Sequence, residues 1–464
     1  MIRSSSWPIR LALVLALGLL PGTSALAGEM EAALGLSGEV YVVQNGPCGE
    51  LFDDCGEGEA AWPVLALDVL RQGQAPARLL VPGTEGEEVE GTPALLFEDA
   101  SASLFLVYET KLQPAHSQVN LGWLHDGTWS EVIEVSGDIY PLKGPPQIAI
   151  TRDTFELQGA ATEPASHQRT LLHVTWWEVG PSAEQVFYTP IVLLDGAYLG
   201  RNQVYDLSSL DPAPLPSPAP TVPAELCRAP VTAPGATDWS VVTGFVNPRT
   251  GRLLSFTVEV LPVELVQLCD RVEPAILQAL AAVGAADRQQ LAERIRMHLV
   301  EIGVRFHPGF LGYAMDEIER SILAATEADF QDVPTLAERI RMHLVEIGAR
   351  TLATGGVLRG SGSAQVDQLL EVQALPGGAP AGAETHLFWL RLASSLPAPV
   401  VGSGPLSIYL SADGAKALVS WQSEEAILYR ESQVGGWSEV RSLSLGALEP
   451  GRADGILRRR VRER

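Results

Sequence analysis

Two short histidine–glutamate pairs are the best candidates for metal chemistry in this sequence. His298 and Glu301 are three residues apart, and His343 and Glu346 repeat that spacing. On an α-helix, positions i and i+3 lie on one face, so both side chains of a pair can reach the same metal ion. Helical periodicity also places each histidine among leucine and isoleucine side chains. The sequence therefore favours a locally hydrogen-bonded, half-buried histidine and keeps a metal site as the alternative.

Acidic residues are concentrated in two segments that are predicted to be loops. One surrounds the first two cysteines and contains Glu50, Asp53, Asp54, Glu57 and Glu59. The other, residues 85–90, adds four acids. Calcium prefers clustered carboxylate oxygens, but neither run has the spacing of an EF-hand loop. Solvated acidic loops are the commoner outcome. We predict no cofactor, with calcium as the alternative.

Three aromatic residues, Trp123, Tyr188 and Tyr429, recur at equivalent places in a strand pattern described below. Aromatic rings at such places can form platforms that stack on sugars. They can also pack between neighbouring sheets and bury a large apolar area. Regular recurrence favours packing, and ligand stacking is the alternative.

The four cysteines are Cys48, Cys55, Cys227 and Cys269. Three pairings are open in principle. Because Cys48 and Cys55 enclose a short loop, we predict the bridges 48–55 and 227–269. Neither pair has the two-residue spacing of a zinc or thioredoxin-like site. An even number of cysteines in an exported chain indicates structural disulfides.

The elements that must position these residues are mostly β-strands. A pattern of strand, hairpin, strand, glycine turn and strand occurs three times, over residues 104–132, 172–198 and 418–440. Each copy follows another short apolar strand, which makes four antiparallel strands per unit. Such units are typical of propeller blades. We predict a mainly β fold, a β-propeller of five or six blades with an α-helical insertion.

Two turn segments carry a resemblance to a known superfamily. Asp126-Gly127-Thr128-Trp129 looks like a shortened Asp-box, and Gly436-Trp437-Ser438-Glu439-Val440 closes a later copy in a similar way. The chain thereby resembles the sialidase-like (BNR-type) β-propeller superfamily over residues 90–210 and 400–445. The resemblance implies a fold, and it is nearly silent about activity.

The sialidase reaction needs three arginines, a tyrosine with a glutamate partner, and an aspartate. Arginines of the predicted strands match none of that family's motifs; they are Arg152, Arg169, Arg391, Arg430 and Arg441. No catalytic residue can therefore be carried over to this chain.

Residues 262–350 change from a period of 2 to a period of 3.6, which predicts α-helices. The segment LAERIRMHLVEIG at 291–303 recurs identically at 336–348, and we interpret it as one duplicated helix. The predicted organisation is a signal peptide (1–27), N-terminal blades (28–210), a proline-rich connector (211–235), a β-hairpin of a further blade (236–261), the helical insertion (262–350), Gly/Ser-rich loops with a strand (351–383), C-terminal blades (384–448) and a flexible basic tail (449–464).

The N-terminus has the features of a secretory signal peptide. Arg3 and Arg10 precede an apolar run over residues 11–20, and Ala25-Leu26-Ala27 offers a cleavage site. The run is about half the length of a membrane-spanning helix. We therefore expect an exported protein, periplasmic or extracellular, with no membrane span.

Charge narrows the range of partners. Removing the predicted signal peptide takes away two arginines and changes the formal net charge from −24 to −26. Such a charge repels nucleic acid and favours cations or basic partners. We predict a non-catalytic binding or scaffold protein with a protein or glycan ligand. The alternative is a divergent glycan-active hydrolase or lyase, which requires two or more carboxylates and an arginine or tyrosine to converge at the central pore of the propeller.

Overall fold

The computed structural model describes residues 30–35, 38–53, 55, 63–84, 88–113, 116–136, 142–157, 165–179, 184–200, 203–216, 230–261, 263–301, 308–353, 367–374, 379, 385–402, 406–423, 426–433, 436–444 and 456–461. The fold is mainly β, and the described strands form five antiparallel sheets, here called A to E in chain order. Along the chain, a group of α-helices is inserted between two strands that both belong to sheet D.

Sheets A to C follow one another along the chain. Sheet A contains β1 (Met30–Leu34), β2 (Val40–Pro47), β3 (Pro63–Leu70) and β4 (Ala77–Leu80). Sheet B contains β5 (Glu88–Glu98), β6 (Ser103–Gln113), β7 (His116–His125), β8 (Thr128–Trp129) and β9 (Ile133–Glu134). Sheet C contains β10 (Gln147–Leu157), β11 (Ala165–Val179), β12 (Glu184–Leu194), β13 (Ala197–Tyr198) and β14 (Tyr205–Asp206), and a 3-10 helix, Leu207–Leu210, follows it.

Sheet D is interrupted by the helices. Its strands are β15 (Val231–Pro234), β16 (Ser240–Asn247), β17 (Arg252–Val260), β18 (Asp367–Gln373) and β19 (Thr385–Pro397). The order is β15-β16-β17-β19-β18, so strands from beyond the helices complete the sheet. Sheet E contains β20 (Leu406–Leu410), β21 (Ala417–Gln422), β22 (Ala426–Gln433), β23 (Gly436–Trp437) and β24 (Arg441–Ser444).

Two Asp-Gly turns fix the register of the hairpins that end sheets B and C. Asp126 and Gly127 have φ of 47° and 75°, and Asp195 and Gly196 have φ of 49° and 81°. Two successive residues with positive φ match the twist of the flanking strands, and Asp-Gly is a preferred pair for this turn. The aspartate that resembles an Asp-box is therefore part of a two-residue hairpin turn.

Apolar side chains alternate along the strands and join each sheet to the next. On β6, Leu104 and Leu106 pack with Leu67 of sheet A, whereas Phe105 and Val107 pack toward sheet C. Other buried clusters join sheet C to sheet D and sheet D to sheet E. The first strands of sheets A to D also contact one another in chain order.

Short helices cover the outer faces of the first and last sheets. Helix α1 (Cys48–Leu51) places Leu51 against Val64 and Ala66 on the face of sheet A that points away from sheet B. A disulfide joins Cys48 to Cys55 in the same segment. This bridge is the first of the two that the sequence predicts.

The C-terminal segment forms a helix, α6 (456–461), on the outer face of sheet E. Leu457 and Val461 are buried there against Tyr409, Leu418 and Tyr429. The expectation of a flexible tail is therefore wrong for these residues, because their apolar side chains supply a packing face between the arginines.

The helical insertion contains four helices: α2 (Val263–Val283), α3 (Arg288–Glu301), α4 (Pro308–Ala324) and α5 (Val333–Ala353). Each packs on its chain neighbours, and α2 also packs on α5. Both α2 and α5 contact sheet D. A short 3-10 helix, Asp329–Gln331, precedes α5. The helices and sheet D share one buried cluster, which includes Ile295, Ile340 and Trp389.

The two copies of the duplicated segment lie in α3 and α5 and bury the same positions. The fully buried residues are Leu291, Ile295 and Leu299 of α3 and, 45 residues later, Leu336, Ile340 and Leu344 of α5. Identical sequence therefore forms the same apolar helix face twice within the insertion.

Candidate functional site

A groove of about 480 Å³ lies between sheets A and B, at the end where the β5–β6 and β7–β8 turns meet the β3–β4 turn. Two rows of cross-strand neighbours form its walls. Phe97, Leu104 and Leu124 lie opposite one another on β5, β6 and β7. Tyr41 lies beside Val69 on the facing side of sheet A. Strand register places the residues of each wall side by side, and the packing of sheet A on sheet B brings the two walls into contact.

Aromatic stacking joins the two walls. The rings of Tyr41 and Phe97 are 5.5 Å apart between centroids and inclined by 14°. Both side chains are half-buried, whereas Leu104 and Leu124 are buried beneath them. The groove therefore has an apolar base and an aromatic pair that still faces solvent.

Charged side chains from the turns form the rim of the groove. Arg71 Nε is 3.8 Å from Glu39 Oε1, and both residues belong to sheet A turns. Asp126 of sheet B has a side chain that is 87% exposed, with Oδ2 at 3.5 Å from His125 Nε2. Burial and the nearby Glu39 carboxylate raise the pKa of Tyr41, while Arg71 acts in the opposite direction. The phenol is thus held in its neutral form, as a hydrogen-bond donor.

This geometry suits binding better than acid–base catalysis. A glycosidase acid is a carboxyl held in an apolar environment, whereas Asp126 lies in water and Glu39 faces a guanidinium. An aromatic pair above an apolar base, with charges on the rim, is the composition of a ligand pocket.

The three aromatic residues predicted from the repeat have packing positions. Tyr188 is fully buried, and Tyr429 is 2% exposed. Trp123 is half-buried against Phe105 at 6.4 Å between centroids. Tyr188 and Tyr429 therefore present no open ring face to a ligand, which is the packing outcome that recurrence favours.

The histidines of the two predicted metal pairs occupy different environments. His298 is half-buried, and His343 is exposed with Nδ1 at 3.2 Å from Glu317 Oε1. The side chains of Glu301 and Glu346 fall outside the part that the structure describes. Within the described residues, no group of three or more His, Cys, Asp or Glu side chains is placed to hold a metal ion. The buried face of α3 is formed by Leu291, Ile295 and Leu299, with His298 at its edge.

Two other predictions fall wholly or partly outside the described residues. Cys227 lies outside them, so the bridge to Cys269 remains a prediction. The calcium alternative depends on acids that include Asp54, Glu57 and Glu59, which also lie outside them.

A fully buried histidine connects three strands of the core. His173 Nε2 is 2.8 Å from Thr151 Oγ1, and His173 Nδ1 is 2.8 Å from Tyr188 Oη. Desolvation lowers the pKa of His173 to about 3 and raises that of Tyr188 well above its usual value. Both groups are therefore neutral in the folded protein at ordinary pH.

This burial predicts a pH-dependent loss of stability. Below pH 6.5 the unfolded chain binds a proton at His173, but the folded protein does so only near pH 3. We expect the free energy of unfolding to fall by about 1.4 kcal/mol per pH unit from this group as pH drops from 6 to 4. Urea titrations of the wild type and His173→Gln at several pH values measure the difference in slope. Equal slopes in both proteins would contradict the prediction.

A second buried network joins sheet C to the base of the helical insertion. Arg169 is fully buried, and its Nε donates to Asp153 Oδ1 at 2.8 Å. Its Nη2 donates to Asp153 Oδ2 at 2.5 Å and to the carbonyl of Leu261 at 3.0 Å. Nη1 is 3.1 Å from His386 Nδ1 on β19. Arg169 matches no catalytic motif in the sequence, and in the structure it forms a buried ion pair with Asp153.

A third buried polar network lies between sheets B and C. Lys143 Nζ donates to the carbonyl of Ser117 at 2.7 Å and is 3.9 Å from Glu178 Oε1. Burial raises the pKa of Glu178, against the opposing effects of the Trp176 indole hydrogen bond and Lys143. The enclosure of this cluster is consistent with a structural role.

Sequence reasoning missed most of the groove. It identified the Asp126-Gly127 turn but gave no reason to connect it with Tyr41, Arg71 or Phe97. The available signal was a tyrosine and a phenylalanine at strand ends, each next to a charged turn residue.

In comparison with known proteins, the chain matches no protein-family model and no curated protein sequence. Within the described part of the chain, no helix is both long and apolar enough to cross a membrane.

Proposed function

We propose that this chain is an exported, non-catalytic binding protein and that the groove between sheets A and B is its ligand site. The observation that carries the proposal is the Tyr41–Phe97 stack above a buried leucine base, bordered by Glu39, Arg71 and Asp126. Aromatic anchors in a concave site supply contact area at low entropy cost. The ligand therefore combines an apolar face with polar or charged groups.

We propose further that the five sheets are blades of a propeller-like array, as the resemblance to sialidase-like proteins implies. Support comes from the four-stranded meanders in chain order and from the contacts between first strands. Helices α1 and α6 cover the outer faces of sheets A and E. In this proposal those helices, rather than a direct contact between the first and last blades, shield the two ends of the array.

The binding proposal is tested with glycan and peptide arrays probed by the chain from Gly28 onward. A hit should bind the Tyr41→Ala and Phe97→Ala variants at least about tenfold more weakly, because central aromatic anchors dominate binding energy. Phe330→Ala is the matched control, since Phe330 is a half-buried ring on the helical insertion. Equal loss in all three variants, or unchanged binding in the groove variants, would contradict the site.

A second candidate function is a glycan-active hydrolase or lyase. Two carboxylates, an arginine and a tyrosine line this groove between two sheets, whereas the prediction from sequence placed such a convergence at the central pore of a propeller. Turnover of any array ligand, lost in both Asp126→Asn and Glu39→Gln, would favour the enzyme over the binding protein. Binding without turnover would favour the binding protein.

A further inference from the structure

We infer that the groove holds a cationic side chain, a guanidinium or an ammonium group, from a basic segment of a partner protein. This inference rests on the proposed function, and it names the class of ligand for the same site. Four features of the molecule support it: the charge of the rim, the aromatic pair, the way in which the chain holds its own basic segment, and the overall charge.

The rim of the groove carries more acid than base. Glu39 comes from sheet A and Asp126 from sheet B, and Arg71 is the cation among the lining residues. Arg71 lies 3.8 Å from Glu39, and its side chain is 50% exposed. The groove thus already accommodates one guanidinium beside a carboxylate, and Asp126 offers a second carboxylate in solvent.

The aromatic pair gives a cation a second type of contact. Tyr41 and Phe97 stack on each other through one face of each ring, and both half-buried side chains line the groove. A cation within about 6 Å of a ring centroid is attracted to the negative face of the ring. Carboxylates and ring faces together distinguish a cationic side chain from an anionic one of equal size.

Sheet E already binds arginine side chains of this chain through aromatic rings and a carboxylate. Arg458 and Arg460 of α6 lie 5.7 Å and 5.4 Å from the ring centroids of Tyr409 and Tyr429. Arg460 also donates to Glu431 at 3.1 Å. This chain therefore holds arginines of its own basic segment against ring faces and a carboxylate, the two types of group that the groove offers to a partner.

The overall charge favours the same class of partner. A formal net charge of −24 attracts basic proteins over distances longer than a contact and repels anionic ones. A basic protein segment is attracted by the negative net charge at long range and can contact the carboxylates and rings of the groove at short range.

The test measures fluorescence polarisation of labelled peptides with the full chain from Gly28 onward. The probes are an arginine-containing peptide and the same peptide with each arginine replaced by glutamine. We expect the arginine peptide to bind and the glutamine peptide not to bind, with weaker binding at higher salt. Asp126→Asn should weaken binding of the arginine peptide by about two- to fivefold. Asparagine tolerates the positive φ of this turn, so the hairpin should be retained.

Asp195→Asn is the matched control, because Asp195 occupies the equivalent Asp-Gly turn of sheet C and the charge change is identical. Equal loss in both variants would show a general charge effect and overturn the inference. An arginine peptide that fails to bind, while a neutral oligosaccharide binds and is lost in Phe97→Ala, would overturn the inference and support the proposed function. If the groove variants change the binding of neither the peptide probes nor any array ligand, both the inference and the proposed function are wrong.

Discussion

Replacing Arg169 with methionine should lower the free energy of unfolding by about 3–5 kcal/mol, because it leaves a buried carboxylate without its partner. Asp153 has a side chain that is 1% exposed, and Arg169 supplies its bidentate contact. The carbonyl of Leu261 and the ring of His386 lose a donor in the same substitution. These groups lie where sheet C meets sheet D and the start of α2, so the loss should loosen the helical insertion as well.

Chemical denaturation of the wild type and of Arg169→Met measures the change in the free energy of unfolding. Arg296→Met is the matched control, because the Arg296 side chain is 42% exposed and the carboxylates that it faces, Glu293 and Glu319, are 61% and 30% exposed. We expect a change of about 1 kcal/mol or less in that control. The double variant Arg169→Met/Asp153→Leu should recover part of the loss, since it removes both buried charges. A loss in Arg169→Met no larger than in the control would contradict the structural role of this network.

Deleting residues 456–464 should expose the outer face of sheet E and destabilise it by about 3–6 kcal/mol, from the buried Leu457 and Val461 side chains. Tyr409, Leu418 and Tyr429 would then face solvent. An exposed apolar face of this kind promotes association. We therefore expect stronger binding of a hydrophobic dye and concentration-dependent self-association by analytical ultracentrifugation.

Point substitutions separate packing from charge at this helix. Leu457→Ala with Val461→Ala should reproduce most of the deletion, whereas Arg459→Ala should not, because Arg459 is exposed. If the deletion leaves thermal stability and dye binding unchanged, α6 does not cover sheet E in solution.

Local patterns in the sequence predicted the strands well, for physical reasons. Alternating apolar residues along β6 and β7 must face two sheets, and Asp-Gly turns specify short hairpins. The late strands that complete sheet D were also visible as apolar runs. The alternation of apolar residues along a strand does not determine how sheets stack. The covering of sheets A and E by helices was therefore not predicted. The C-terminal basic segment looked solvated because its charges conceal Leu457 and Val461.

The candidate site depends on contacts that no local pattern contains. Tyr41 and Phe97 belong to different sheets, and only the stacking of sheet A on sheet B brings their rings together. Tyr188 shows the opposite situation, because its recurrence in the repeat favoured packing over a ligand platform and its side chain is fully buried in the core.

Hydrogen–deuterium exchange tests most directly whether the groove binds the ligand. The chain is compared with and without a saturating arginine peptide, or any ligand from the arrays. We predict slower exchange in the segments that line the groove, residues 38–42, 95–105 and 122–128, and little change in the helical insertion. Protection confined to residues 263–353, with the groove segments unchanged, would contradict the proposed site.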